Sequence, residues 1–260
     1  PTGFMTDPAP APEPRPSKTA WLTGARAGYV ALGVSVVALG LAAAPWFTGG
    51  NVRSYLLNHP EVLQEASQAL QDKEAQARVD VINDLAQANA GLLKPDPRDP
   101  AFGPADAKVT VVEFFDFRCP GCKAVAHDYR ALMAAHPEVR FVFKDWPILD
   151  RGEDVTSQYA ARAALAAHQQ GKYLAVYDAL MTEPALTPET IDRILAENGV
   201  DVARAKAAIS AIDTTRHIAD IHTTAAALQL QGTPTFFVNG RASPSIDPAE
   251  IGRLIEAAKR

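Results

Sequence analysis

Sulfur is scarce in this chain: its 260 residues include two cysteines and three methionines. Two cysteines exclude a disulfide framework spread across the fold, and one pair falls short of the four ligands of a closed zinc site. Basic charge is short as well. Lys and Arg number 25 against 30 Asp and Glu, a formal charge of −5, which leaves no broad basic surface and excludes nucleic acid as an expected partner. The histidines offer no metal site, because His217 and His222 stand five apart on a predicted helix, about 140° around its axis. His127, on the predicted helix that carries the cysteines, reads as a surface or packing residue. No metal is expected. What remains is 47% apolar and 21% charged, a globular composition with enough apolar material for a core.

The N-terminal third changes character several times. Residues 1–19 form a Pro-rich tail, with six prolines in the first sixteen residues, and nothing there packs a core. Residues 20–47 contain "AGYVALGVSVVALGLAAAPWF", 21 residues without a charge, which as a helix would span roughly 31 Å, the thickness of a bilayer core. Arg15, Lys18 and Arg26 precede the run and only Arg53 follows closely, so the tail is expected in the cytoplasm and the rest outside. Trp21 and Trp46 suit the interfaces. A cleaved signal at Ala42–Ala44 is the competing reading, with Pro45 against it. Residues 48–100 read as a helical stalk and linker. Pro60 opens the longer helix, Val62, Ala66 and Leu70 share a face, and Val79, Ile82, Ala86 and Leu93 continue the stripe. That stripe suits either an oligomerisation element (51–93) or a face packed on the neighbouring domain. "KPDPRDP" (94–100) marks the linker.

From residue 101 the pattern is α/β. "KVTVVEFFDF" (108–117) is a predicted buried strand that runs directly into "RCPGCK", the only cysteines. A helix follows from Pro120, then a strand in "VRFVFKDWPIL" (139–149). Between 152 and 230 the pattern is helical throughout: "SQYAARAALAAHQQGKYLAVYDALM", then "TPETIDRILAENG" capped by Thr187 with Pro188 at its first position, then two further segments. A strand returns in "TPTFFVNG" (233–240) with a hairpin turn at Asn239-Gly240. "RASPSI" (241–246) is confined to a sheet edge by Pro244, and a helix (247–259) closes the chain.

Placing Cys119 at the mouth of a helix has a chemical consequence. Unpaired N–H groups and the positive end of the helix dipole favour a thiolate, and only the thiolate attacks a disulfide. Arg118 and Lys123 flank the pair and are expected to push the same way, to a thiol pKa between about 3.5 and 7.5. Cys122, one turn in, is expected to be shielded and to attack second, releasing the product. The competing reading is an inert local disulfide or two small buried hydrophobes.

Strand, CxxC, helix and a later "TP" make the sequence similar to the thioredoxin superfamily, and the helical insertion resembles its DsbA branch over about 105–260. That resemblance implies a thioredoxin-like fold with an inserted helical domain. It also implies a site of Cys119, Pro120, Gly121 and Cys122, a buried proton-handling acid at Glu113, and Thr233 with a cis Pro234 that faces the cysteines and binds client backbone. No cofactor is implied beyond the redox-active Cys119–Cys122 disulfide. The N-terminal segment with "SYLLNHPEVLQEA" resembles the ScsC-like group, whose N-terminal helices oligomerise. The Pro-Gly dipeptide departs from the Pro-His of DsbA, and Thr before the cis-proline is closer to isomerase and reductase members.

The implied activity is protein thiol-disulfide exchange on cysteine-containing exported proteins, with an inner-membrane redox partner and a periplasmic or extracytoplasmic catalytic domain. An oligomeric isomerase or reductant and a monomeric DsbA-like oxidant are both compatible with these residues. A non-catalytic chaperone, or a copper-binding module using both cysteines, is the alternative of a different class; Met5, Met133 and Met181 all lie away from the motif.

Overall fold

A computed structural model describes residues 52–260. The expected tail (1–19) and membrane segment (20–47) lie outside the described residues, and among those described no helix is long and apolar enough to cross a membrane. The chain divides into two compact units, residues 1–70 and 71–260, and the boundary falls inside a helix.

In the first unit, helix α1 (52–58) ends at His59, whose N–H bonds to the Tyr55 carbonyl at 2.8 Å. Helix α2 (Glu61–Ala88) starts after Pro60, whose carbonyl accepts from Leu63 and Gln64; the ring has no N–H to lose at a helix start. Val52, Tyr55, Leu57, Leu63 and Leu70 are all exposed.

The second unit is built on five strands: β1 (Ala101–Phe102), β2 (Thr110–Phe115), β3 (Arg140–Asp145), β4 (Thr235–Val238) and β5 (Arg241–Ala242), in the order β1-β3-β2-β4-β5. β2 and β3 are parallel and the other pairs antiparallel. Helix α3 (Pro120–Ala135) supplies the crossover between the parallel strands, as parallel pairing requires. The hairpin turn sits at Asn239-Gly240, both with positive φ (46° and 82°), the geometry that favours Asn-Gly there. β5 spans two residues at the sheet edge, ahead of Pro244. β1, too short to show a period, is absent from the sequence expectation.

Five helices, not four, form the insertion: α4 (Thr156–His168), α5 (Tyr173–Thr182), α6 (Pro188–Glu197), α7 (Val202–Ile209) and α8 (Ile212–Ala227). The run 157–181 breaks at Gly171, whose φ of 70° ends one helix and starts another. Thr187 caps α6 as expected, its hydroxyl accepting from the Thr190 N–H. Helix α9 (Pro248–Ala258), capped by Asp247, closes the chain.

Because side chains alternate along a strand, the sheet has two distinct faces. Val111, Phe115, Phe141 and Phe143 join α3, α5 and α9 in the larger core. Val112, Phe114, Val142 and Phe237 face the other way and meet Ala86 and Leu93, with Val79, Ile82 and Leu85 packed alongside. The apolar stripe of residues 79–93 is therefore covered by its own domain. Asn83 also pins the edge, its side-chain oxygen accepting from the Ala242 N–H at 2.7 Å.

Candidate active site

β2 ends at Phe115, and the chain turns within three residues to bring Cys119 to the first position outside α3. Asp116, 2% exposed, holds that turn. Its carboxylate accepts from the Arg118 N–H (2.8 Å), the Ile148 and Leu149 N–H groups (2.8 and 3.1 Å) and the Ser157 hydroxyl (3.0 Å). Its own carbonyl accepts from the Cys119 N–H at 3.0 Å. Asp116 thus locks the cysteine loop to the loop after β3, a role sequence reasoning missed. The available signal was an acid directly after an aromatic strand and three residues before the first cysteine.

Cys119 is the N-cap of α3, with φ −70° and ψ 122°, and Pro120 occupies the first turn. Its Sγ lies 3.1 Å from the Thr233 carbonyl oxygen, to which the thiol donates. That contact belongs to the protonated state alone, since an anion has no hydrogen to give. Donors to the sulfur win over it: the Cys122 thiol first, then the Thr233 side chain and the Cys122 and Gly121 N–H groups, lower the Cys119 pKa from 9.0 to about 5 against the cost of burial. Cys122 is fully buried, and burial, with the Cys119 sulfur and Glu113 adding to it, drives its pKa far up. The two thiols differ in the direction sequential attack needs, one ionised at neutral pH and one holding its proton. Both are reduced in this structure.

The Thr233–Pro234 peptide is cis, and it faces the motif. A Cβ added to Gly121 would sit 3.3 Å from Pro234 Cδ and 3.8 Å from both Cys119 Sγ and Ile246 Cδ1. Cys119, Pro234 and the exposed Ile246 therefore gather around Gly121, with Thr233 against the Cys119 sulfur. Glu113 is fully buried on the larger-core face of β2, near enough to Cys122 for its charge to act on that thiol. Burial, then the nearby Asp145, pushes its carboxyl well above the usual range, while Tyr177 pulls weakly the other way.

Arg118 and Lys123 sit beside the cysteines in sequence but spend their charges elsewhere. Arg118 bonds Asp154 at 2.7 Å and Asp150 at 3.3 Å. Lys123 Nζ donates to the Leu180, Met181 and Glu183 carbonyls at 3.0, 3.4 and 2.6 Å, closing the C-terminal end of α5 as a cation should. The depression of the Cys119 pKa comes chiefly from hydrogen bonds. Among the described residues no cluster of metal-binding side chains occurs. His127 projects into solvent beside Asp128, while His217 is buried 3.2 Å from Asp99 and His222 accepts from Trp146 Nε1.

Residues 96–257 match the thioredoxin family, and residues 49–77 match the copper resistance protein ScsC N-terminal domain. The chain belongs to the DsbA-like branch of the thioredoxin superfamily. Within that branch it is 30% identical over 177 residues to the thiol:disulfide interchange protein DsbA of Dickeya dadantii, covering 64% of this chain and 80% of that one. The solved structure of a thioredoxin-like oxidoreductase from Silicibacter pomeroyi DSS-3 shares 40% identity, a TM-score of 0.58 and coverage of 63% and 94% of the two chains. A Na(+)/H(+) antiporter, NhaA 3 of Salinispora tropica, is 36% identical over 152 residues; the match spans 58% of this chain but 23% of the antiporter. The match of residues 49–77 places the chain near the ScsC group within that branch, and the chain spans about a quarter of the length of the antiporter relatives it matches.

Proposed function

We propose that this protein exchanges disulfides with client proteins through Cys119 and Cys122, outside the cytoplasmic membrane. The observation that carries the reading is the placement of the two thiols, Cys119 at the helix mouth against the cis Thr233–Pro234 peptide and Cys122 fully buried one turn behind it. In the reductive direction, the Cys119 thiolate attacks one sulfur of a client disulfide, and the other client sulfur leaves as a thiolate. Cys122 then gives its proton to Glu113 and attacks Cys119. The mixed disulfide breaks, the second client thiolate leaves, and the Cys119–Cys122 disulfide remains, so two electrons have passed to the client. Run backwards, the same steps oxidise a client dithiol. Thr233 and Pro234, beside the attacking sulfur, are the surface on which client backbone lies.

An oligomeric isomerase or reductant is the form we favour, with the exposed side chains of residues 52–70 as the assembly surface and an inner-membrane partner that restores the thiols. The equilibrium potential decides direction: near about −120 mV the protein is an oxidant, and near about −180 mV or lower an isomerase or reductant. The similarity of residues 49–77 to a copper resistance protein's domain supports a second reading, Cu(I) held by both cysteines. Stoichiometric Cu(I) binding without exchange activity would establish it. Cys119→Ser is expected to abolish insulin reduction and the refolding of a scrambled client; unchanged activity in that variant rules out the exchange reading.

A further inference from the structure

Beneath the cysteines lies a second buried acid that the steps above leave unused. β2 and β3 pair in parallel with Glu113 opposite Phe143 and Asp145 opposite Phe115, so strand alternation sends both acids to one face as diagonal neighbours. Glu113 is 0% and Asp145 1% exposed. Lys144 points to the opposite face, where it binds Asp99 at 2.6 Å, and so neutralises neither.

The groups facing the pair are Cys122 and Tyr129 from α3 and Tyr173 and Tyr177 from α5, while β4 places Phe236 opposite Glu113. Asp99 adds negative field at Asp145, with Lys144 and His217 already against it. Asp178 and Arg130, which act on Tyr177 and Tyr129, pair with each other at 2.9 Å. Asp116 and Lys123 are held by the loop and helix-end bonds described above. One hydrogen bond of good geometry reaches the acids: Tyr173 donates to Asp145 Oδ2 at 3.0 Å. Both Glu113 oxygens, Asp145 Oδ1 and the Tyr129 and Tyr177 hydroxyls have none.

Two carboxylates in an aromatic chamber without a cation cannot both ionise, because burial already disfavours each charge before the two repel. We propose that Glu113 and Asp145 form a two-carboxyl proton store, holding one proton at rest and two while Cys122 attacks, with Asp145 a positioning residue that sets when Glu113 accepts. The proposal rests on the exchange reading and extends it. During resolution the Cys122 proton moves to Glu113, the Cys122–Cys119 bond forms, and the client sulfur leaves with the electron pair of the broken bond. Burial pushes both carboxyls well above their usual range, in keeping with this.

The test loads Cys119 with 5-thio-2-nitrobenzoate as a mixed disulfide and follows release of the coloured thiolate by Cys122 across pH. Removing the Asp145 charge relieves Glu113, so Asp145→Asn should move the midpoint of release down by about one pH unit with the plateau rate kept. Tyr173→Phe, which makes Asp145 hold its proton more tightly, should move it the same way. A midpoint identical to wild type in Asp145→Asn overturns the proposal. Carboxyl carbon NMR on the wild-type protein needs no variant to fold: Glu113 and Asp145 should each report both of two coupled steps, and a single ordinary aspartate titration at Asp145 overturns it. Wild-type protein that never releases the reagent defeats the exchange reading instead, and the NMR titration still decides the acid pair.

Discussion

At the scale of single residues, Gly121 is the position whose missing side chain leaves room between Cys119 and Pro234. It lies in α3 with ordinary helical backbone, so Ala is acceptable to the helix and favours it by roughly 0.5–1 kcal/mol. The new methyl would stand 3.3 Å from Pro234 Cδ, over the sulfur that clients must reach. Gly121→Ala should therefore change Tm little, the helix gain opposed by crowding against Pro234 Cδ, while lowering kcat/KM for insulin reduction roughly tenfold; an unchanged kcat/KM would show that clients do not enter over Gly121. The position of Cys119 at a helix mouth was readable from "FFDFRCPGCK". The cause of its acidity was only partly readable, because sequence adjacency does not say where a long side chain ends. Arg118 reaches Asp150 and Asp154, Lys123 reaches the end of α5, and hydrogen bonds from Cys122 and Thr233 lower the Cys119 pKa instead.

Elements were legible in proportion to their length and punctuation. β2, β3 and β4 announce themselves by β-branched and aromatic runs, and α6 and α9 by a cap residue followed by proline. β1 has two residues and no period to detect, and the break between α4 and α5 rests on Gly171 within an otherwise continuous helical pattern. Asp116 joins elements and so escapes any local reading: it ties the end of β2 to the loop after β3 through the Ile148 and Leu149 N–H groups. Asp116→Ala should cost about 3 kcal/mol, the penalty of stranding buried donors, measured as a lowered denaturant midpoint. A loss under about 0.5 kcal/mol would mean that the loop is held by packing alone.

For the whole molecule, the stalk divides into a covered and an exposed stretch. Residues 79–93 pack on the domain's own sheet, while Leu57 and Leu63 stay 64% and 56% exposed. The sequence stripe could not reveal this, since a helix face looks the same whether its own chain or another covers it. Leu57→Lys with Leu63→Lys in the full chain should convert an assembly to monomers in light scattering without changing reduction of a small disulfide; an unaltered mass removes residues 52–70 as the assembly surface. Folding also links to pH through Cys119. Its pKa is lower in the folded than in the unfolded chain, so the thiolate's contribution is complete above about 9.0 and is lost as pH falls through about 5. The most direct measurement is titration of thiolate absorbance in the reduced protein, folded and in denaturant. The account predicts one thiol ionising near pH 5 in the folded protein and returning to about 9.0 on unfolding; a first ionisation near 9.0 in the folded protein would contradict it.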